Sequence, residues 1–277
     1  MKLVWQVLAV VAVGAAGGQA VGAVQGNPWL SLLLGGLTVV LSVVVYRWVV
    51  GRTERRRVTE LAGEGARGAV LRGVLLGVAM FVCVIANIAF LGDYEVHGYG
   101  SAGGALALAG FMAGAAVTEE LMFRGLLFRL VERGLGTYVA LVLSSVLFGA
   151  AHLLNEDATL LGAVAIAVEA GGMLGAAYAA TRSLWLPIGL HFGWNFAEAG
   201  IFGTEVSGNG DTHGLLDSST SGATLVTGGA FGPEASVYAV LFGALLTIAF
   251  LWLARRRGTV VPRRRAGRAD TLATLPR

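Results

Sequence analysis

Eight apolar runs, each of roughly the twenty residues a bilayer core demands, follow one another along the chain, and no other feature limits its fold so severely. They cover Leu3–Val24, Trp29–Val50, Val70–Leu91, about Gly103 to Arg133, Thr137–Leu154, Thr159–Thr181, Leu184–Phe202 and Val237–Ala254. At 1.5 Å rise per residue a helix of this length crosses a ~30 Å hydrocarbon core. The expected class is therefore all-α and polytopic, with about eight transmembrane helices and a core of four carrying the chemistry. Charged residues are 13% of the 277, about half the share of roughly 25% found in soluble domains. The 42 glycines suit helices that approach closely, since lipid gives no hydrophobic drive for their association. Leu3–Val24 exceeds the ~7–15-residue apolar region of a signal peptide and reads as an uncleaved span. The fourth run reaches ~45 Å as a helix, so it must tilt, bend or leave the bilayer.

Charge sorts the loops. Arg47, Arg52 and Arg55–Arg57 close the second run, residues 51–70 form a basic linker, Arg182 closes the sixth run, and an arginine-rich tail fills 257–277. Alternating spans put these and both termini on one side. The opposite loops carry Asp93, Glu95, Glu156, Asp157, Glu205, Asp211, Asp217 and Glu234 and no lysine or arginine. The positive-inside rule makes the basic side cytoplasmic and accounts for the net charge of +3 without nucleic acid. The expected setting is a bacterial-type plasma membrane. Asp93–Gly100 reads as a polar loop with a solvated His97. Cys83 is the only cysteine, so no disulfide or thiolate-metal framework exists; its expected role is as a small packing residue. The expected divisions are helices one to three over 1–100, a core over 101–202, an extracytoplasmic loop over 203–233, a last helix over 234–256 and the tail.

Three constellations can do chemistry. The first is Glu119-Glu120-Leu-Met-Phe-Arg124, two adjacent carboxylates inside an apolar run, where an ionised group costs about 2.5–3.5 kcal/mol or more. Glu120 and Arg124 are i,i+4 and can pair, leaving Glu119 on another face. Partial desolvation would push the Glu119 carboxyl up, towards the range of a general base near neutrality. The second is Phe148-Gly-Ala-Ala-His152. The third is His191-Phe-Gly-Trp-Asn195, whose spacing puts imidazole and carboxamide on one helix face. Each has a bland reading: a structural ion pair, a histidine at a wet helix end, interhelical hydrogen-bond glue. Glu169, Glu198 and His213 keep that bland reading, and the gathering of the other groups on three helices is what favours function. Arg124, Arg129, Arg133 and the start of the His191 helix suggest a site open to the basic side. Counted from that side, His191 is ~10 Å deep and His152 ~20 Å or more, so the fifth helix has to tilt for both to face Glu119.

These three motifs, in this order and spacing, resemble those of the CAAX-protease and bacteriocin-processing family (CPBP, also called Abi), membrane-embedded peptidases that include the prenyl-protein endopeptidase. The resemblance covers about residues 105–200. It implies an intramembrane endopeptidase acting on a membrane-associated peptide or protein, with the bilayer as its other partner. In that reading Glu119 and His152 activate a water, His191 and Asn195 donate to the oxyanion, and Glu120 with Arg124 holds the first carboxylate. A competing version makes Glu119, His152 and His191 ligands of a Zn2+ ion, although the zinc-peptidase signature His-Glu-x-x-His is missing. Two other classes remain open: a catalytically silent relative acting in immunity or interaction, and a proton-coupled transporter. The latter lacks the inverted repeat expected of it. Oligomeric state cannot be read from the sequence.

Overall fold

The α2 helix (Pro28–Glu54) shows which solvent the chain meets. It buries Ser31, Gly35, Thr38, Ser42 and Tyr46 and turns Leu33, Leu37, Leu41, Val44 and Trp48 outward. Residues three and four apart share a helix face. A polar and small-residue stripe thus faces the protein and a leucine-rich one faces the surroundings, the reverse of a helix in water. The computed structural model describes residues 2–210 and 212–263; Asp211 and the tail beyond residue 263 lie outside the described residues.

The fold is all-α and polytopic. Among the described residues seven helices are long and apolar enough to cross a membrane: α1 (Leu3–Gly22), α2, α3 (Ala66–Phe90), α4 (Ala102–Leu135), α5 (Thr137–Leu154), α6 (Leu160–Thr181) and α8 (Val237–Arg256). The remaining expected span, 184–202, is a shorter helix, α7 (Trp185–Asn195), which runs on as a π-helix over Phe196–Ile201. It is sunk in the bundle, with Pro187 to His191 and Gly193 to Trp194 all buried. Its start is held to the linker by Leu184 N–H donating to the Glu60 carbonyl at 2.9 Å. Side-chain caps open α2, α4, α6 and α8. Asn27 accepts from Leu30 N–H at 3.1 Å, Ser101 from Gly104 at 2.9 Å, Thr159 from Gly162 at 2.9 Å and Ser236 from Ala239 at 3.2 Å.

Glycine spacing fixes the contact that carries α7. Gly73 and Gly77 on α3 meet Gly189 and Gly193 on α7. A Cβ on Gly77 would lie 2.4 Å from the Leu190 carbonyl, and one on Gly193 would lie 2.4 Å from the Val74 carbonyl. Both helices thus use the small-xxx-small pattern that lets backbones touch in lipid. His191 lies between the two α7 glycines, so the same contact that docks the helix aims its histidine.

Two expectations need correction. The stretch read as a polar loop forms a strand, β1 (Tyr94–Tyr99), paired antiparallel with β2 (Leu216–Thr220), Tyr94 opposite Thr220 and Tyr99 opposite Leu216. Its residues are largely exposed, so no apolar alternation announced it. Exposed His97 hydrogen-bonds the Ser219 hydroxyl across this ribbon at 2.8 Å. Cys83 is exposed on α3 rather than packed inside, because α3 turns the opposite, glycine-bearing face towards α7.

Candidate active site

Glu119 and Glu120 are neighbours in sequence with opposite surroundings. Glu120 is fully buried; its Oε1 accepts from Arg124 Nη1 at 2.7 Å and lies 3.0 Å from His191 Nδ1. Glu119 is one helical step round, its side chain 32% exposed, and it lines a cavity of about 530 Å³. The i,i+4 pair expected at Glu120–Arg124 is present, and it leaves Glu119 free on a second face.

Arg124 is the hub behind the site. Besides Glu120 it donates through Nη2 to the carbonyls of Ala170 and Gly171 at 3.1 and 3.3 Å, and its guanidinium lies 4.5 Å from the centre of the Phe148 ring. Both carbonyls belong to a π-helical stretch of α6, Ala167–Gly172. The wide i→i+5 turn loosens the ordinary carbonyl pairing, and such turns are frequent at functional sites. A second π-helical stretch, Leu121–Phe128, follows the two glutamates directly. It turns Gly125 against α2, where a Cβ would lie 2.8 Å from the Tyr46 hydroxyl.

The histidines divide. His191, 5% exposed, has carboxylates at both ring nitrogens: Glu120 at Nδ1 and, 3.8 Å from Nε2, Glu119. His152 ends α5 on the cavity wall, and its Nδ1 lies 2.8 Å from the Phe148 carbonyl. A carbonyl only accepts, so Nδ1 is the donor there and Nε2 is the nitrogen left for another partner. No hydrogen bond or ion pair joins His152 to Glu119. The Phe148 ring contacts both imidazoles, with centroids 4.8 Å from His152 and 5.9 Å from His191. Asn195, one turn beyond His191, lines the cavity beside Glu119 and His152.

The proposed zinc set fares differently. Among the described residues no three His, Cys, Asp or Glu side chains gather in a group that could hold a metal ion. Glu119 and His191 approach each other at 3.8 Å, while His152 shares the cavity wall with Glu119 without a direct contact. As the described side chains stand, Glu119, His152 and His191 do not converge on one point.

The cavity also corrects the expected opening. Along α4 its wall runs from Gly104 to Phe123, and it continues over Gln25, Asn155, Ser207, Asn209, Thr212 and His213. These mark the end of the bundle that carries the acidic loops. The loop there is ordered: Asn155 donates to the Ser207 carbonyl at 2.6 Å, and Asp157 N–H to the Gly208 carbonyl at 2.9 Å. The basic end is closed instead by ion pairs. Glu54 takes Arg129 at 2.5 Å, Arg56 at 2.9 Å and Arg133 at 3.0 Å, and Glu132 takes Arg182 at 2.5 Å. Of the arginines expected to flank an opening, Arg129 is buried in that closure, Arg124 is buried against Glu120 further in, and Arg133 stays half-exposed on Glu54.

The bland reading also missed a feature. Glu169, Glu198 and Glu234 are 0%, 0% and 1% exposed. Glu234 N–H donates to Glu198 Oε1 at 3.2 Å, while neither Glu169 carboxylate oxygen has a hydrogen-bond partner. Burial pushes the Glu234 carboxyl above its ordinary value. The signal for Glu169 and Glu198 was their place in apolar runs; Glu234 looked like one more loop acid.

Residues 101–197 match the family model of the type II CAAX prenyl endopeptidases, described as Rce1-like. Over these residues the chain is similar to that family. The match spans all three motifs, from Glu119 to Asn195, and supports the resemblance drawn from them. That similarity supports, at the family level, an intramembrane CAAX-type protease, and together with the apolar helices it supports an integral membrane protein. No curated protein and no solved structure matches the chain.

Proposed function

We propose that the chain is an intramembrane endopeptidase that cleaves a membrane-associated peptide with a water activated by Glu119 and His152. The observation that carries this is the asymmetry of the two glutamates: Glu120 is locked behind Arg124 and His191, while Glu119 opens on a cavity that Asn195 and His152 also line. A water in the cavity would lose its proton to the Glu119 carboxylate, with Nε2 of His152 accepting its other hydrogen bond. The resulting hydroxide attacks the scissile carbonyl. His191, able to donate from both nitrogens when protonated between its two carboxylates, and the Asn195 amide then stabilise the tetrahedral oxyanion. Each such donor is worth ~2.7–4 kcal/mol in other enzymes. Glu119 returns its proton to the departing amine as the C–N bond breaks. Every step is taken by side chains of the chain itself, and none is routed through a metal.

The test is cleavage of a membrane-peptide library by purified wild type, Glu119→Gln and Asn195→Ala, read by mass spectrometry with and without a chelator. Expected are loss of cleavage in the first variant, a drop of about 10²–10³-fold in the second, and no effect of the chelator. Full cleavage by well-folded Glu119→Gln would overturn the reading in favour of a silent relative. Loss on chelation would restore the metal version.

A further inference from the structure

Three buried carboxyls take no part in the proposed reaction, yet they lie close to the groups that do. Glu198 stands three residues beyond Asn195 on the π-helical end of α7, Glu234 precedes α8, and Glu169 is on α6. Both Glu169 oxygens, Glu198 Oε2 and Glu234 Oε1 lack a hydrogen-bond partner. Glu234 N–H donates to Glu198 Oε1 at 3.2 Å, and the two carboxyls face each other within hydrogen-bonding reach. Two carboxylates so close in a core repel, and such pairs share one proton. Burial pushes the Glu234 carboxyl up, which keeps that proton bound. The other titratable groups facing the pair are Glu169 and, on α5, His152; Arg124 faces Glu169 from α4. Glu205, in the intervening loop, takes Gly210 N–H at 3.1 Å.

The pair is tied to a strap, residues 204–210, that walls the cavity with Val206, Ser207, Asn209 and Gly210. The Glu198 carbonyl accepts from Thr204 N–H and from its hydroxyl, both at 3.1 Å, and the Glu234 carboxyl faces Ser207. From the other side Asn155, three residues beyond His152, donates to the Ser207 carbonyl at 2.6 Å. Ser207 is held at φ 55°, a left-handed conformation that a residue with a Cβ keeps only where its surroundings fix it. The ends of the two helices that bring His152 and Asn195 to the cavity are thus joined through this strap.

We propose that Glu198 and Glu234 are positioning residues of the peptidase: sharing one proton, they clasp the strap and so hold Asn195 and His152 in place across the cavity. Loss of the proton sets two carboxylates against each other, loosens the strap and lowers turnover. This rests on the peptidase reading of the site, so the experiment reads the strap separately from cleavage.

Purified wild type, Glu234→Gln and Glu234→Ala are compared in detergent micelles from about pH 6 to about pH 9. Hydrogen exchange of the 204–210 amides is followed, corrected for the intrinsic effect of pH, together with kcat and KM on a peptide from the library. Wild type should lose protection in the strap, and kcat with it, as pH rises. Glu234→Gln cannot ionise and its amide can donate to Glu198, so its strap should stay protected and its kcat should gain on wild type. Glu234→Ala should leave the strap unprotected at every pH and lower kcat on the order of 10²-fold with KM little changed, as a small displacement of reacting groups does. Asn155→Ala, which unties the strap from the α5 side, replaces Glu234→Ala if that variant does not fold. Wild type and Glu234→Gln running in parallel across the pH range would overturn the shared proton. A protected strap and an unchanged kcat in Glu234→Ala would overturn the clasp. If no protein cleaves while exchange follows the expected pattern, the peptidase reading alone fails and the clasp stands.

Discussion

At the basic end of the bundle, half-buried Glu54 and buried Glu60 are shared among Arg56, Arg129 and Arg133, and Glu132 is buried against Arg182. At the other end Glu169, Glu198 and Glu234 are buried as deeply, yet no lysine or arginine of the described residues comes within ion-pair distance of them. Taking a charge out of water costs several kcal/mol unless a partner compensates. The basic end meets that cost with guanidinium forks and closes. The other end leaves its buried carboxylates without any guanidinium partner. Glu120 and Glu119, adjacent at mid-bundle, repeat the contrast on the scale of one helical step: the paired carboxylate is scaffold and the unpaired one faces the cavity. Closed and paired against open and unpaired is thus the division of labour within this molecule.

The largest expected effect tests the unpaired side. Glu119→Gln should lower cleavage by about 10²–10⁴-fold, the usual contribution of a general base, with an unchanged melting temperature, since its buried Oε2 has no hydrogen-bond partner to lose. A large drop in melting temperature would instead make Glu119 part of the scaffold and erase the contrast with Glu120.

Next comes the paired side. Arg124→Met strands Glu120 in the core and should destabilise by about 3–5 kcal/mol in a detergent-unfolding titration, as breaking one half of a buried pair does. The double variant Glu120→Gln with Arg124→Met should recover part of that loss. No recovery would mean that Arg124 acts through the Ala170 and Gly171 carbonyls alone.

Acidity separates the two ends by sign. Burial pushes the Glu60 carboxyl up, but the Arg56 guanidinium outweighs it and holds the group below the usual carboxylate range. Its contribution to stability is complete above the unfolded value of about 4.3 and fades as pH falls through the folded value. For Glu234 burial raises the carboxyl, so its contribution is complete below that same unfolded value and is lost as pH rises through the folded one. Melting curves from about pH 2 to about pH 8 should show Glu60→Gln less stable than wild type above about pH 4.3, the gap narrowing below it. Glu234→Gln should gain on wild type as pH rises. Parallel curves for both variants would remove the contrast.

The smallest effect is expected at the rim of the closed layer. Arg133 is 51% exposed where it meets Glu54, and Arg133→Ala should change stability by less than about 1 kcal/mol. A larger loss would show that the layer acts as one network.

Much of this was legible in the sequence because lipid leaves few choices. Backbone groups in a bilayer core must be paired internally, so long apolar runs had to be helices. The i,i+4 spacing dictated that Glu120 would meet Arg124 and leave Glu119 apart, and the spacing His191-Phe-Gly-Trp-Asn195 put two polar groups on one face. Charge alone sorted the loops into two ends. What the chain could not announce depends on how helices lie against one another. The Gly73/Gly77 and Gly189/Gly193 pairs are visible as small-residue repeats, but only their mutual contact shows that they aim His191. Local patterning is blind to Glu234 because its burial comes from a loop folding back on α6 and α7. The π-helical turns that free the Ala170 and Gly171 carbonyls for Arg124 are likewise set by packing. The direction of the cavity was misread for the same reason: arginines near a site can line its mouth or seal it. Only the glutamates brought to them from distant segments, Glu54, Glu60 and Glu132, decide that they seal it.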